Sequence, residues 1–339
     1  MRSACTLPDK IIGDSAEIKG SRALRIIIAG GRGHLGSLLA RHFHARGDSV
    51  VVLVRTPTLT PYSSVGWDGR TLGDWARELE SADVLINLVG RSVDCRYSKA
   101  NKQEILDSRV CSTRVLGEAV RRLKKPPRVW LNASTATIYR HALDRDMDEE
   151  TGEISGNDAD TPRAWHFSIE VATQWEHAFF MEETPVTRKV ALRSAMVMSA
   201  DRGGVFDALL RLVRFGLGGR LGNGRQYVSW IHERDFERAI DFLIERHEFR
   251  GVINLSAPKP VPNAEFMRAL RHAWGSRVGV AAPRWALEIG AFVLRTETEL
   301  ILKSRRVVPG QLLKAGFGFD FPEWPVAAAD LVTRWRTDR

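Results

Sequence analysis

Gly30-Gly31-Arg32-Gly33-His34-Leu35-Gly36 is the stretch of this 339-residue chain whose residue types and spacing are best suited to chemistry. Glycines recur at 31, 33 and 36 as G-x-G-x-x-G, and at 30, 33 and 36 as G-x-x-G-x-x-G. Glycine is needed where a chain turns sharply and where a Cβ would hold a phosphate away from the backbone. A helix that starts directly after such a turn offers free N–H groups and the positive end of its dipole. The flanks meet that condition. Leu24-Arg25-Ile26-Ile27-Ile28-Ala29 has the β-branched run of a buried parallel strand, and Ser37 to Arg46 reads as a helix stopped at Gly47. The turn is therefore expected to cradle the pyrophosphate of a dinucleotide.

The next strand, Val50-Val51-Val52-Leu53-Val54, bears on which dinucleotide. Proteins that hold a free ribose 2′-hydroxyl place an Asp or Glu there, about 20 residues beyond the turn. Here the strand ends Val54-Arg55-Thr56, with no acid. Arg55, with Arg32 from the turn, can make charge-assisted bidentate bonds to a 2′-phosphate that an acid would repel. The expected cofactor is NADP(H) rather than NAD(H).

These groups need a frame. Further buried strands are predicted at Asp83–Val89, Arg128–Ala133, Lys189–Leu192 and Val252–Leu255, with a helix over about Lys99–Lys124. Strands alternating with helical segments predict an α/β fold, a doubly wound parallel sheet with helices on both faces. Residues 1–23 lack any helical or strand period and read as an N-terminal extension. From about Pro258 onward, turn signals and short helices predict a smaller lid-like domain.

Composition bounds the rest. A hydrophobic content of 44% excludes disordered and fibrous classes. No run reaches the ~18 apolar residues of a membrane span, and the start lacks the apolar core of a secretory signal. Cys5, Cys95 and Cys111 are too few for a disulfide framework or zinc knuckle, and the expectation is a reduced cytoplasmic protein. His42 and His44 are two apart on a helix, so their rings diverge, and no metal is expected. Lys+Arg total 50 against 41 Asp+Glu, a net charge of +9. The basic residues are spread along the chain without the aromatic interleaving of a single-strand groove, so no nucleic-acid partner is expected.

Beyond the turn, other ordered pieces carry a resemblance. They include Ile86-Asn87-Leu88-Val89-Gly90, Ile105-Leu106-Asp107-Ser108-Arg109, Ser134–Tyr139, Trp175-Glu176 and Leu192-Arg193. Later come Gly216-Leu217-Gly218-Gly219-Arg220-Leu221-Gly222, Arg225-Gln226-Tyr227, Trp230-Ile231-His232 and Arg306-Val307-Val308-Pro309 with Ala315-Gly316-Phe317. Together, over about residues 24–330, they resemble an extended short-chain dehydrogenase/reductase of the NAD-dependent epimerase/dehydratase superfamily, in its "epimerase family protein" branch. The resemblance implies a Rossmann domain over residues 24–192 and a smaller substrate domain drawn mainly from 193–335, with about 228–258 returning to the Rossmann domain. It implies cofactor contacts at Asn87, Leu88, Val89 and Gly90, and a small-molecule substrate in the cleft. A homodimer is implied only by analogy.

The family's usual proton relay is a Tyr and a Lys four residues apart on one helix face, the Lys lowering the phenol pKa. Aligned on Glu176, those positions hold Ser168 and Ala172, and no Tyr-x-x-x-Lys occurs in the chain. Arg109 stands where an Asn is common. The resemblance leaves Ser134 and Tyr139 as catalytic candidates, with Tyr139 the surrogate acid and His166 the runner-up. It places Arg193, Arg225 and His232 on the substrate side, where they can hold a carboxylate or phosphate. Asp235 is expected as a helix N-cap, and Cys95 and Cys111 as inert. Two functions fit: an NADP(H)-dependent oxidoreductase or epimerase-like enzyme, or a regulatory or scaffold protein that kept the cofactor site and lost turnover.

Overall fold

The computed structural model describes residues 22–155, 162–283 and 299–337, so the expected N-terminal extension lies almost wholly outside the described residues. The strands in chain order are β1 (Arg25–Ala29), β2 (Ser49–Val54), β3 (Ser63–Gly66), β4 (Val84–Asn87), β5 (Val129–Thr135) and β6 (Arg188–Ser194). They continue as β7 (Met196–Met198), β8 (Tyr227–Val228), β9 (Trp230–His232), β10 (Gly251–Leu255) and β11 (Val261–Pro262). The helices are α1 (His34–Ala45), α2 (Lys99–Arg121), α3 (Arg163–Met181), α4 (Val205–Arg214), α5 (Glu233–Glu245) and α6 (Asn263–Trp274). Three more close the chain: α7 (Glu299–Leu302), α8 (Gly310–Lys314) and α9 (Trp324–Thr337).

Seven strands form one parallel sheet in the order β10-β6-β5-β4-β1-β2-β3. The β-branched runs explain it, because a parallel strand is buried on both faces. Ile26, Ile28, Val50, Val52, Val84 and Ile86 point to a core shared with α1 and α5. Their neighbours Ile27, Ala29, Val51, Leu53 and Leu85 point to the opposite core, against Val115, Leu116 and Phe179 of α2 and α3. Each such Ile or Val contributes about 1.5–3 kcal/mol by leaving water. The fold class is as expected, a Rossmann-type sheet with a smaller C-terminal domain. That domain has its own core, in which Trp324 stacks on Phe266 at 3.9 Å and packs edge-on against Trp230.

Two local expectations change. The first helix begins at His34 rather than Ser37, so the last glycine of the turn is already helical. β3 was not expected; it reads Ser-Ser-Val-Gly, an edge strand with only one apolar side chain to mark it.

The sheet order reverses between β1 and β4: after β1 the chain goes outward to β2 and β3, then returns to the other side of β1. Ligands of open α/β sheets bind at the carboxyl ends of the strands at such a switch point.

One helix seam is pH-sensitive. His42 of α1 bonds Asp241 of α5 at 2.8 Å, with Glu237 at 3.8 Å and Arg46 on the other Asp241 oxygen. Burial pulls the imidazole pKa down, but Asp241 and Glu237 outweigh it, and the pKa is raised above the ordinary 6.5. A raised folded-state pKa stabilises fully below the unfolded value, and that contribution is lost as pH rises through the folded value. His42→Ala is therefore expected to flatten the decline in urea stability above pH 6.5. An identical decline in the variant would refute this account of the seam.

Candidate cofactor cradle and active site

The β1–α1 turn is shaped by atoms that a Cβ would strike. Gly30 has φ +83°, and a Cβ there would lie 3.0 Å from the Leu88 carbonyl carbon, so the turn rests on the segment leaving β4. At Gly31 a Cβ would meet Val52 at 2.4 Å, and at Gly36 it would meet the Gly30 carbonyl oxygen at 2.3 Å. Gly33 differs: it is exposed, caps α1 with extended backbone, and its added Cβ would meet only the Gly30 oxygen, at 3.3 Å. The first turn of α1 carries no acidic residue to neutralise the dipole, and the N–H groups of His34, Leu35 and Gly36 have no acceptor within the helix. These features fit a pyrophosphate. The His34 ring packs on Gly204, and its buried Nε2 has no hydrogen-bond partner among the described residues.

Arg55 is exposed at the end of β2, and Arg32, also exposed, reaches the same place by donating to the Thr56 carbonyl at 3.2 Å. Asn87 is fully buried. Its Nδ2 donates to Asn132 and Thr113, while its Oδ1 accepts from the Val89 N–H at 3.1 Å, which shapes the Leu88–Gly90 segment. Gly90 is exposed, and its missing side chain makes room for the Arg109 guanidinium, 3.0 Å from where a Cβ would be.

Ser134, Tyr139 and Arg193 come together, in a buried network at the ends of β5 and β6. Ser134 Oγ donates to Glu176 Oε1 at 2.5 Å, and Arg193 grips both Glu176 oxygens at 2.8 Å. A third Arg193 nitrogen donates to the Tyr139 hydroxyl at 2.9 Å, and that hydroxyl donates to Asn254 Oδ1 at 3.0 Å. Tyr139 is 1% exposed. Burial raises its pKa despite the Arg193 charge, so the phenol stays protonated. Burial opposes the Arg193 charge, but Glu176 outweighs it and holds the guanidinium firmly ionised.

His232 lies elsewhere. It is 0% exposed, stacks on Phe321 at 3.8 Å, and accepts from the Arg234 N–H through Nδ1. Its proton is thus on Nε2, which faces Asp330 at 3.1 Å, and burial holds its pKa below the ordinary value. His232, not Asp235, caps α5; Asp235 instead accepts the Asp320 and Phe321 N–H groups and fastens the C-terminal segment. Arg225 is exposed in the glycine-rich loop before β8, and His166 is exposed on α3.

At the two positions where the resemblance places a Tyr and Lys, Ala172 packs with Ile138, Tyr139 and Val307, while Ser168 sits in a polar cluster. Its Oγ donates to Glu299 at 2.6 Å and lies 3.4 Å from the Tyr97 hydroxyl. Nearby, Lys303 Nζ donates to the Thr137 carbonyl at 2.7 Å and Arg305 Nε to Thr137 Oγ1 at 3.1 Å. No spacing in the sequence marks Tyr97, Glu299, Lys303 and Arg305 as one site. They come from segments about 200 residues apart, and only the basic run Lys303–Arg306 gave a local signal.

Residues 26–256 match the NAD dependent epimerase/dehydratase family, and residues 282–331 match a domain of unknown function, DUF1731. The chain is 29% identical over 312 residues to the human epimerase family protein SDR39U1, covering 91% of this chain and 100% of that one. It is 32% identical over 305 residues to an epimerase family protein of Mycobacterium leprae, covering 89% and 93%. Among solved structures, human SDR39U1 (isoform 2) with NADPH superposes with a TM-score of 0.79 at 28% identity, covering 91% of this chain and 99% of that one. With the glycine turn, the switch-point sheet and the C-terminal match in one chain, this protein belongs to the NAD dependent epimerase/dehydratase family.

Proposed function

We propose that this chain binds NADP(H) at the Gly30–Gly36 turn and acts as an oxidoreductase or epimerase-like enzyme on a small polar substrate. The substrate would lie between the Rossmann domain, residues 24–192, and the domain drawn mainly from 193–335, with 228–258 returning to the sheet. The observation that carries this is the glycine cradle facing an acid-free end of β2, where Arg32 and Arg55 converge. The NADPH in the human relative's structure supports it.

When bound, the nicotinamide gives or takes a hydride at a substrate carbon. The chain's own groups do the rest. Arg32 and Arg55 hold the 2′-phosphate, and the first-turn N–H groups of α1 hold the pyrophosphate. The sequence marks Ser134 and Tyr139 as catalytic, but their burial and their bonds to Glu176, Arg193 and Asn254 support a positioning role: they lock the ends of β5 and β6. Both His232 nitrogens are likewise committed, which leaves the exposed Arg225 as the preferred partner for a substrate anion. The second reading, a cofactor-binding regulatory or scaffold protein, draws on one observation, that Ser168 and Ala172 replace the usual pair.

Fluorescence titration with NADPH and NADH tests the proposal on wild type, Arg32→Ala and Arg55→Ala. A charge-assisted bond contributes about 1.5–3 kcal/mol, so each variant is expected to bind NADPH about 10–100-fold more weakly. NADH binding is expected to change little. Variants that lose both dinucleotides equally, or neither, would overturn the assignment.

A further inference from the structure

We propose that Tyr97, Ser168 and Glu299 form a proton relay that serves the reacting oxygen of the substrate, in place of the missing Tyr and Lys. This rests on the NADP(H) reading above. Three separate elements build it: the segment entering α2 brings Tyr97, α3 brings Ser168, and α7 of the C-terminal domain brings Glu299. Tyr97 is half-buried, its ring edge-on to Phe167 at 5.0 Å, and Glu299 is 2% exposed. Ser168 donates to Glu299 at 2.6 Å and lies 3.4 Å from the Tyr97 hydroxyl, so when the two hydroxyls bond each other Tyr97 is the one that donates. Lys303 and Arg305, which follow Glu299 in the chain, bond Thr137 just past β5 and so tie this segment to the carboxyl edge of the sheet, where the glycine turn also lies.

Two guanidiniums, Arg109 and Arg305, interact electrostatically with the phenol, and two lysines lie in the same region. Arg109 of α2 stands against Gly90 and stacks on Trp175, 5.2 Å from its ring centre. Lys303 and Arg305 follow α7, and Lys102 lies over the Phe167 ring beside Tyr97. Burial lowers Arg109 to about 10 and lowers Arg305 as well, while the phenol's negative form raises both. Arg109 thus stays cationic near neutrality, and by reciprocity the two guanidiniums favour tyrosinate over tyrosine. Glu299 is the carboxylate that opposes them.

In alcohol oxidation, the Ser168 proton passes to the Glu299 carboxylate and the Tyr97 proton passes to Ser168. The resulting phenolate takes the substrate's hydroxyl proton as the O–H bond breaks, and the substrate's hydride goes to NADP⁺. Carbonyl reduction by NADPH runs the same transfers in reverse, starting from protonated Glu299.

Ultraviolet titration of tyrosinate in the full chain tests this without any substrate. Of the four tyrosines, one is expected to ionise below the ordinary value of about 10, the direction in which Arg109 and Arg305 push it. That transition is expected to vanish in Tyr97→Phe and to move back towards 10 in Arg305→Gln. Tyr97→Phe is expected to bind NADPH within about twofold of wild type, which separates relay from cofactor site. Four tyrosines titrating at or above 10 in a protein that binds NADPH, or a low transition that survives in Tyr97→Phe, would overturn the relay alone. A wild type that does not bind NADPH would overturn both readings.

Discussion

Glu176→Leu is expected to destabilise the folded protein by about 3–5 kcal/mol, because it leaves a buried guanidinium without its carboxylate. The Arg193 side chain is only 6% exposed and that of Glu176 10%, and their two parallel bonds are the centre of the network that also holds Ser134 and Tyr139. Urea unfolding reads the effect as a lower midpoint with little change in slope. The paired variant Glu176→Leu/Arg193→Met removes both charges together and is expected to lose far less than the two single losses added. Residues that share a network do not act additively, and replacing a buried ion pair with apolar groups is often neutral. A single-variant loss under about 1 kcal/mol would show that water reaches the pair and that it holds nothing together.

Gly36→Ala is expected to abolish NADPH binding in practice and to lower stability as well. Its Cβ would sit 2.3 Å from the Gly30 oxygen and 2.7 Å from Gly31 Cα, and backbone cannot yield as a side-chain end can. Re-opening the turn moves the N–H groups that face the pyrophosphate. Losing two such charge-assisted bonds costs about 3–6 kcal/mol, two to four orders of magnitude in affinity. Gly33→Ala separates the two effects. That methyl group would press on the Gly30 oxygen at 3.3 Å, a contact a few tenths of an ångström too tight, so the stability loss is expected to be much smaller than in Gly36→Ala while the methyl group blocks the phosphate. NADPH titration beside urea unfolding of both variants checks this. Equal binding by Gly33→Ala and wild type would place the pyrophosphate elsewhere.

What the sequence made legible follows from the range of the forces involved. Ile26–Ala29 and Val50–Val54 announce buried parallel strands because burial on both faces needs an unbroken apolar run, a purely local signature. The glycine turn is legible for the same reason: its chemistry is confined to seven consecutive residues. β3 has no such signature because an edge strand needs little apolar content, and α1 starts three residues before its sequence signal because Gly36 reads as a breaker while its packing demands helix. Catalytic roles were harder to place. Ser134 and Tyr139 follow a strand at the ligand-binding edge, and no local pattern foretells that Glu176, Arg193 and Asn254 take up their polar atoms. Tyr97 and Glu299 meet through Ser168 only because α2, α3 and α7 converge, a contact across about 200 residues of chain with no counterpart in spacing.

Calorimetric titration of the wild-type chain with NADPH and then NADH tests the central claim most directly. Arg32 and Arg55 at an acid-free strand end predict that NADPH binds at least about tenfold more tightly than NADH, with the preference shrinking as salt screens the two exposed guanidiniums. Equal affinities, or tighter binding of NADH, would contradict it.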